Sequence, residues 1–225
     1  MGQEALKRGR FLTVEGGEGT GKSTQVGLLV SALARAGIPA LRTREPGGAP
    51  GAEDIRKLLV EGDPGRWDAQ SEALLMVAAR RCHLTAMVWP ALAQGTWVVS
   101  DRFADSTLAY QGSAGGVPRA DLEALHRIIA GDFAPDLTLI LDLDPEVGLK
   151  RAVKRRGRGP ADRFESEGLP FHKTLRRAFL DIAAAEPLRC AIIDADRSED
   201  DVAAAIWSAV QYRLDPASAL TVKPA

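Results

Sequence analysis

A glycine-rich run near the start of the chain has the composition of a phosphate-binding loop. Residues 16–23 have the sequence GGEGTGKS, which fits the pattern G-x-x-x-x-G-K-S/T. Glycines let such a backbone wrap closely around phosphates with its N–H groups pointing inward. In this pattern Lys22 reaches the β- and γ-phosphates of a nucleoside triphosphate, and Ser23 is a ligand of Mg²⁺. The expected triphosphate site consists of Gly16, Gly17, Glu18, Gly19, Thr20, Gly21, Lys22, Ser23 and Thr24.

The residues on either side of the loop decide between this interpretation and a glycine-rich turn that fits the pattern by chance. The apolar segment Phe11–Val14 precedes the loop, and after Lys22 apolar residues recur on one helical face up to Leu33. A strand before the loop and an amphipathic helix after it are the context that a phosphate-binding loop needs. The positive end of the helix dipole then faces the phosphates.

Two later segments place cations beside carboxylates directly after apolar runs. Residues 44–48 are REPGG, and residues 101–103 are DRF. Asp101 is suited to act through Mg²⁺ or water on an acceptor phosphate, and Arg102 is suited to hold that phosphate. An ion pair at a strand end is the alternative for either segment alone. The presence of both segments at the carboxyl edge of one sheet favours a second phosphate site.

The elements that must position these motifs alternate between short apolar runs and longer helical segments. The predicted strands are Phe11–Val14, Ala40–Thr43, Val98–Val99, Leu137–Leu143 and Ala191–Ile193. The predicted helices start at Lys22 and then cover Ser71–Ala93 with a kink at Pro90, Ala120–Ala130, Pro145–Arg156, Leu169–Ala185 and a last helix from Ser198 to about Arg213. This alternation predicts an α/β fold with a five-stranded parallel sheet and helices on both faces. Ligands of such a sheet bind beyond the carboxyl ends of its strands.

Length and composition limit the class of protein. The 225 residues are 45% apolar and carry a net charge of −1, which favours one globular domain and does not favour a polyanion-binding chain. We expect a domain core of about residues 11–213 with frayed termini. The two cysteines form no CxxC pair, residues 1–10 are polar without the apolar region of a secretory signal, and no apolar run reaches about 18 residues. These features predict a cytoplasmic protein without a membrane segment.

Chain length and the motifs present also limit which class of nucleotide-binding protein this can be. A GTPase would need an Asn-Lys-x-Asp motif, which the chain lacks, and a motor or large ATPase would need more residues. A kinase of a small molecule fits the length. Such a kinase needs an acceptor pocket and a cationic lid that excludes water.

The later motifs resemble one family. Residues 43–48, TREPGG, then residues 101–112, DRFADSTLAYQG, and then residues 162–165, DRFE, are similar to bacterial thymidylate kinases in sequence and order. The similarity runs from about Phe11 to Arg213, nearly the whole chain. It implies a P-loop kinase fold with a short basic lid, ATP and dTMP as substrates, Mg²⁺ as cofactor and a homodimer. A cytidylate or deoxynucleoside kinase and a catalytically inactive nucleotide-binding regulator remain alternatives.

The resemblance also implies roles for residues around the acceptor. Arg102 and Ser106, with Thr107 as an alternative hydroxyl, match the family's contacts to the monophosphate, and Gln111 matches its contact to the pyrimidine edge. The resemblance also implies that Arg80 binds a thymine carbonyl and that Arg56 lies near the monophosphate. Solvated helix faces are the alternative for these two arginines and for Arg81. The expected acceptor residues are Arg44, Glu45, Arg56, Met76, Arg80, Arg102, Ser106, Thr107 and Gln111.

Met76 is a departure from the family, which usually stacks a phenylalanine on the thymine ring. A methionine can pack against a ring with a weaker geometric preference, so looser base selectivity is expected. Plain core filler is the alternative interpretation of Met76.

A basic stretch after a predicted helix resembles the family's lid, which we place at about residues 154–165. Its cations could bind nucleic acid, but no aromatic platform accompanies them, so a mobile lid over the transferring phosphoryl group is favoured. Some family members have a catalytic arginine in the phosphate-binding loop, whereas this loop has none. The expected catalytic residues are Lys22, Asp101, Arg155, Arg156 and Arg158, with Ser23 and Asp101 as metal ligands and Arg151 against the adenine.

Overall fold

The described residues form a five-stranded parallel sheet. The structure, a computed structural model, describes residues 8–61, 65–157 and 164–215. Its strands are β1 (Phe11–Gly16), β2 (Ala40–Arg44), β3 (Trp97–Asp101), β4 (Leu137–Asp142) and β5 (Cys190–Asp194). They lie in the order β2-β3-β1-β4-β5, and each neighbouring pair is parallel. The predicted parallel sheet is therefore confirmed.

Helices connect these strands within the described ranges. They are α1 (Lys22–Arg35), α2 (Pro50–Val60), α3 (Ala69–His83), α4 (Trp89–Ala93), α5 (Ala104–Thr107), α6 (Arg119–Ala130), α7 (Pro145–Arg156), α8 (Leu169–Ala185) and α9 (Glu199–Leu214). Two π-helical segments, Leu84–Val88 and Leu108–Ala114, follow α3 and α5 directly. Such turns are rare and frequently occur at functional sites. No helix in these ranges is both long enough and apolar enough to cross a bilayer.

Alternate side chains of the central strands face two apolar layers. Leu12 and Val14 of β1 pack with residues of α1 and α9, whereas Phe11 packs with residues of α4 on the opposite face. Ile140 of β4 packs against α8. This alternation is the two-residue period of a strand, so the helices cover both faces as predicted.

The strand register brings the carboxyl ends of four strands to one edge. Asp101 at the end of β3 lies opposite Val14 of β1 and opposite Arg44 of β2. Gly16 of β1 lies opposite Leu141 of β4. The glycine-rich loop and both cation–carboxylate segments therefore start at the same edge of the sheet.

The helix predicted over Ser71–Ala93 differs from the structure. It begins earlier, at Ala69, because the Asp68 side chain caps it by accepting a hydrogen bond from the Ser71 N–H at 2.6 Å. Its regular part ends in the π-helical segment Leu84–Val88, so the irregularity precedes Pro90. The sequence-based prediction also lacks α2 and α5. Of the expected frayed ends, residues 1–7 and 216–225 lie outside the described residues.

Candidate active site

The glycine-rich loop joins the end of β1 to the start of α1. Gly19 has φ +68°, and a Cβ there would overlap the carbonyl oxygen of Gly148 in α7, so this position requires glycine. Gly21, at φ +90°, caps α1 and leaves the first N–H groups of that helix available to an anion. The Nζ atom of Lys22 donates a hydrogen bond to the carbonyl oxygen of Gly17 at 2.6 Å.

Ser23 and Asp101 meet where α1 begins and β3 ends. The Ser23 hydroxyl donates to Oδ2 of Asp101 at 2.5 Å. A hydroxyl oxygen beside a carboxylate oxygen suits Mg²⁺, which prefers oxygen ligands and keeps several waters. Among the described residues, no cluster of three or more His, Cys, Asp and Glu side chains could hold a metal ion. The pair therefore fits a Mg²⁺ ion that takes its other ligands from phosphates and water.

Arg102 has an unusual backbone, and both terminal nitrogens of its guanidinium group are hydrogen-bonded within the protein. Its φ is +72°, in the left-handed region that costs a non-glycine residue energy and is often found at functional sites. Its Nη1 atom donates to the Gly16 carbonyl at 3.0 Å and to Oγ of Ser106 at 3.1 Å. Its Nη2 atom donates to Oε1 of Glu18 at 2.7 Å and to the Tyr110 hydroxyl at 2.9 Å. Arg102 therefore links the glycine-rich loop to the segment after β3.

The pKa values of two loop residues follow from this network. Burial opposes ionisation of Glu18, but Arg102 and then Lys22 outweigh it and lower the pKa of Glu18 to about 2. Burial and then the charge of Arg102 lower the pKa of Lys22 to about 8, against the opposing charges of Glu18 and Asp101. In the site without nucleotide, the ammonium group of Lys22 is therefore easier to deprotonate than that of an exposed lysine.

Glu15 at the end of β1 is a site residue that the sequence analysis missed. It is fully buried, and its carboxyl oxygens accept the Phe103 N–H at 2.7 Å and the Ser106 hydroxyl at 2.6 Å. Burial and then the charge of Asp105 raise the pKa of Glu15 to about 8. The sequence signal was a carboxylate at the end of an otherwise apolar strand, since unpaired buried carboxylates are rare.

One face of α3 presents residues at four-residue intervals, namely Glu72, Met76 and Arg80. Arg80 is only 3% exposed, so a solvated helix face is the wrong interpretation for it. Its Nε atom donates to Oε2 of Glu45 at 2.8 Å, and its Nη2 atom donates to the Thr107 hydroxyl at 2.9 Å. The arginine is thus held between the end of β2 and the segment after β3.

Gln111 and Glu72 form a buried hydrogen bond. The Nε2 atom of Gln111 donates to Oε1 of Glu72 at 2.8 Å. Because a carboxylate only accepts, this contact fixes which way the amide of Gln111 faces. Glu72 is a second residue that the sequence analysis missed, although its helical spacing from Arg80 was visible.

Arg44 and Arg56 lie around the turn between β2 and α2. Nη2 of Arg44 contacts both carboxylate oxygens of Glu53 at 3.0 Å, and Nη1 of Arg56 donates to the Pro46 carbonyl at 2.8 Å. Arg81 points elsewhere and donates to the carbonyl of Ile129 at 2.7 Å, so the surface interpretation holds for it.

The last turns of α7 carry three of the predicted arginines. Arg151 donates to the carbonyl oxygen of Ala195 at 2.9 Å. Arg155 and Arg156 contact the two carboxylate oxygens of Glu165 at 2.9 and 2.8 Å. Residues 154–156 of the expected lid are therefore helical, and Arg158, with the rest of 158–163, lies outside the described residues.

One cavity of about 600 Å³ joins both sets of predicted residues, a size typical of ligand sites. The predicted residues that line it are Glu18, Gly19, Gly21, Lys22, Ser23, Thr24, Arg44, Glu45, Arg56, Met76, Arg80, Asp101, Arg102, Ser106, Thr107, Gln111, Arg151 and Arg155. Met76 is thus not core filler. Four described residues of the prediction do not line it, namely Gly16, Gly17, Thr20 and Arg156. Lining residues that the prediction lacks are Pro46, Val60, Phe103, Tyr110 and Phe164.

A glycine-rich phosphate loop that shares a cavity with several arginines, at the carboxyl edge of a parallel sheet, is the arrangement of a P-loop kinase.

Comparison with known proteins specifies the family. The family model for thymidylate kinase matches residues 14–206. Thymidylate kinase of Bradyrhizobium diazoefficiens is 52% identical over 220 residues, which is 98% of this chain and 96% of the relative. Thymidylate kinase of Afipia carboxidovorans is 54% identical over 216 residues, which is 96% of this chain and 94% of the relative. The crystal structure of thymidylate kinase from Ehrlichia chaffeensis superposes with a TM-score of 0.74 at 32% identity and covers 91% of this chain and 100% of that one. The chain belongs to the thymidylate kinase family, and it is therefore a kinase.

Proposed function

We propose that this chain transfers the γ-phosphoryl group of ATP to dTMP and releases ADP and dTDP. The observation that carries the proposal is the shared cavity, in which Lys22 of the glycine-rich loop and Arg102, Arg80 and Gln111 are all lining residues. The names of the relatives at 52% and 54% identity supply the acceptor.

The donor half of the site is the glycine-rich loop. Backbone N–H groups of residues 16–24 surround the phosphates of ATP, and the ammonium group of Lys22 leaves the Gly17 carbonyl to contact the β- and γ-phosphates. Arg151 lines the same cavity from α7, where its guanidinium plane can pack against the adenine.

The acceptor phosphate lies between arginines from three elements. Arg102 follows β3, Arg44 ends β2 and Arg56 comes from α2, and all three line the cavity. The planar guanidinium fork matches phosphate oxygens in pairs, which sets the direction of the phosphate as well as its affinity. Glu15 holds the Ser106 hydroxyl at 2.6 Å, so Ser106 offers its oxygen to Arg102 and acts on the phosphate through that arginine.

The base pocket lies beside α3. Arg80 donates to a thymine carbonyl, and Gln111, whose amide nitrogen is bound to Glu72, offers its carbonyl oxygen to the thymine N3–H. Met76 supplies an apolar surface for the ring. Glu45 and Thr107 hold Arg80 from two sides at 2.8 and 2.9 Å.

The Ser23 and Asp101 oxygens would hold Mg²⁺, directly or through water, and the ion neutralises charge on the donor phosphates when it is bound. An oxygen of the dTMP phosphate attacks the γ-phosphorus as the bond to the ADP oxygen breaks. The acceptor phosphate is already a competent nucleophile, so Asp101 orients groups and need not remove a proton.

The lid contributes positive charge and excludes water. Arg155 lines the cavity, whereas Arg156 does not, although both contact Glu165. Arg155 is therefore the described lid arginine best placed to stabilise charge on the transferring phosphoryl group, and Arg158 remains a candidate. Closure of the lid removes water from the reacting phosphates.

A panel of monophosphates tests the proposed function. Purified protein with ATP and Mg²⁺ is given dTMP, dUMP, dCMP or dGMP, and ADP release is measured. We expect kcat/KM to be highest for dTMP and next for dUMP, because both pyrimidines present the same N3–H and C4 carbonyl. Preferred turnover of dCMP would assign the chain to another acceptor, and ATP binding without turnover of any acceptor would indicate a regulator.

We propose in addition that the chain is a homodimer that works in the cytoplasm as a single domain. Helix α3 packs against both α2 and α6, and these helices expose Leu58, Leu74 and Ile128, which are 39%, 55% and 78% accessible. An apolar surface on adjacent helices is a common dimer interface. Both cysteines are free thiols, which suits a reducing compartment.

Light scattering during gel filtration tests the dimer. The native protein should elute with twice the 24.0 kDa mass of one chain. Leu74→Glu should give monomers, whereas Leu188→Glu, at an 88% exposed leucine on a different surface, should stay dimeric. A monomeric native protein, or a dimeric Leu74→Glu variant, would exclude this interface.

A further inference from the structure

A buried polar chain lies behind the base pocket and includes a histidine to which no role has been given. His83 follows Arg80 by three residues on α3 and is 0% exposed. Its Nδ1 atom lies 2.9 Å from Oε1 of Glu45, and its Nε2 atom lies 2.7 Å from the hydroxyl oxygen of Thr43 in β2. His83 does not line the cavity, whereas Glu45 and Arg80 do.

Glu45 joins the histidine to the arginine. It uses Oε1 for His83 and Oε2 for the Nε atom of Arg80 at 2.8 Å. The Nη2 atom of Arg80 donates to Thr107, and its guanidinium carbon lies 4.9 Å from the centre of the Phe103 ring. Among the described residues Nη1 of Arg80 has no hydrogen-bond partner, so one donor nitrogen of this rigid group is left for a ligand.

Hydrogen-bond chemistry fixes which atoms donate and which accept along this series of contacts. The Glu45 carboxylate can only accept, so Nδ1 of His83 carries the hydrogen of their contact. In the neutral ring Nε2 then accepts the hydroxyl hydrogen of Thr43. Gly48 packs against the Nε2 edge of the His83 ring, and a Cβ added to Gly48 would lie 2.7 Å from Nε2. The ring therefore has little room to turn.

We propose that His83 is a positioning residue for base recognition, which holds the Glu45 carboxylate so that this carboxylate holds Arg80 at the C4 carbonyl of the base. The inference rests on the proposed function, in which Arg80 contacts the base. Without the Nδ1–H group, Oε1 of Glu45 would be buried without its donor. The carboxylate would then turn to take a second donor from Arg80 and would move the guanidinium away from the base.

A displaced Arg80 is expected to change the preference among bases and to leave the binding of ATP unchanged. Thymine has a carbonyl oxygen at C4 and accepts a hydrogen bond from Arg80, whereas cytosine has an amino group there. A displaced Arg80 therefore raises KM for dTMP and lowers the preference for dTMP over dCMP. The glycine-rich loop lies outside this chain of contacts, so KM for ATP is expected to stay within about twofold of the native value.

Two amide variants separate positioning from simple packing. The amide nitrogen of His83→Asn reaches the place of Nδ1 and can still donate to Glu45. The amide of His83→Gln reaches the place of Nε2 and contacts only Thr43. We expect His83→Gln to raise KM for dTMP about tenfold, with a similar loss of preference over dCMP, and His83→Asn to recover most of both.

Steady-state kinetics with ATP, dTMP and dCMP, together with thermal unfolding of each variant, decide the question. Equal kinetic defects in the two folded variants, or a native KM for dTMP in His83→Gln, would overturn the inference. If His83→Gln does not fold, His83→Leu decides. Leucine fills the buried space without any donor to Glu45, so an unchanged KM for dTMP in this folded variant would overturn the inference. Failure of the native protein to phosphorylate dTMP would instead refute the proposed function.

Discussion

The substitution Arg102→Lys tests the role of Arg102 at the acceptor phosphate. Arg102 joins the glycine-rich loop to the segment after β3 through contacts to Gly16, Glu18, Ser106 and Tyr110. Lysine keeps the positive charge, so Glu18 is not left buried without a partner. Both residues have a Cβ and suffer the same strain at φ +72°, so the substitution changes only the head group.

The expected magnitude follows from the geometry of that head group. Each terminal nitrogen of Arg102 serves two acceptors, whereas a lysine has a single ammonium group with three donors. A lysine that still contacts Glu18 can give the acceptor phosphate one hydrogen bond in place of the paired contact. The loss of one charge-assisted hydrogen bond costs about 1.5–3 kcal/mol, which is about a 10- to 150-fold fall in kcat/KM for dTMP.

The assay is ADP release at saturating ATP with dTMP varied, and then at saturating dTMP with ATP varied. KM for ATP should change by less than about threefold, because the donor loop keeps its own contacts. Circular dichroism and a melting curve check that the variant is folded. A folded variant with kcat/KM for dTMP within about twofold of the native value would refute the placement of Arg102 at the acceptor phosphate.

Other substitutions and conditions examine the remaining parts of the site. Lys22→Ala should lower kcat by about 10²–10³-fold because it removes charge beside the β- and γ-phosphates, and unchanged turnover would show that the loop is misassigned. Because the pKa of Lys22 in the free enzyme is lowered to about 8, kcat/KM for ATP should fall as pH rises through about 8, whereas kcat should hold to higher pH since bound phosphates favour the charged form. A flat profile up to pH about 9.5 would contradict that assignment. Glu72→Ala removes the partner of the Gln111 amide and should lower the preference for dTMP over dCMP with little change in KM for ATP. Equal rises in KM for dTMP and for ATP would instead indicate general damage to the site.

The parts of the fold that follow local rules could be predicted from the sequence. Apolar runs that alternate with helical segments specify a parallel sheet, because strands buried on both faces are mostly apolar. The glycine-rich loop is equally local, since its glycines, lysine and serine are consecutive. The last helix was expected to begin at Ser198, and the Ser198 side chain caps it by accepting the Asp201 N–H at 3.2 Å.

Residues whose role depends on distant partners could not be predicted in the same way. Glu15 has a role only because Phe103 and Ser106, about 90 positions later, supply its hydrogen bonds. Glu72 and His83 look like ordinary helix residues until Gln111 of the π-helical segment Leu108–Ala114 and Thr43 of β2 contact them. The aromatic lining of the cavity, Phe103, Tyr110 and Phe164, likewise arises from tertiary contacts.

Helix α2 was missed for a different reason. It starts at Pro50, two positions after the Gly47–Gly48 turn, and only Ala52 and Leu59 are fully buried along it. Ala52, Ile55 and Leu59 do recur at helical spacing, so the signal was present in this short segment and was not used. Arg56 nevertheless was assigned to the site through the family resemblance, and α2 brings it to the cavity wall.

Inhibition by a two-headed nucleotide tests most directly whether donor and acceptor phosphates meet in this cavity. The compound joins adenosine and thymidine at their 5′ oxygens through a polyphosphate chain, so it can occupy both halves at once. The arrangement of Lys22 and Arg102 in one cavity predicts that the compound competes with ATP and binds much more tightly than ADP or dTMP alone. A compound that binds no more tightly than either single nucleotide would show that the two phosphates do not meet in one cavity and would contradict the account.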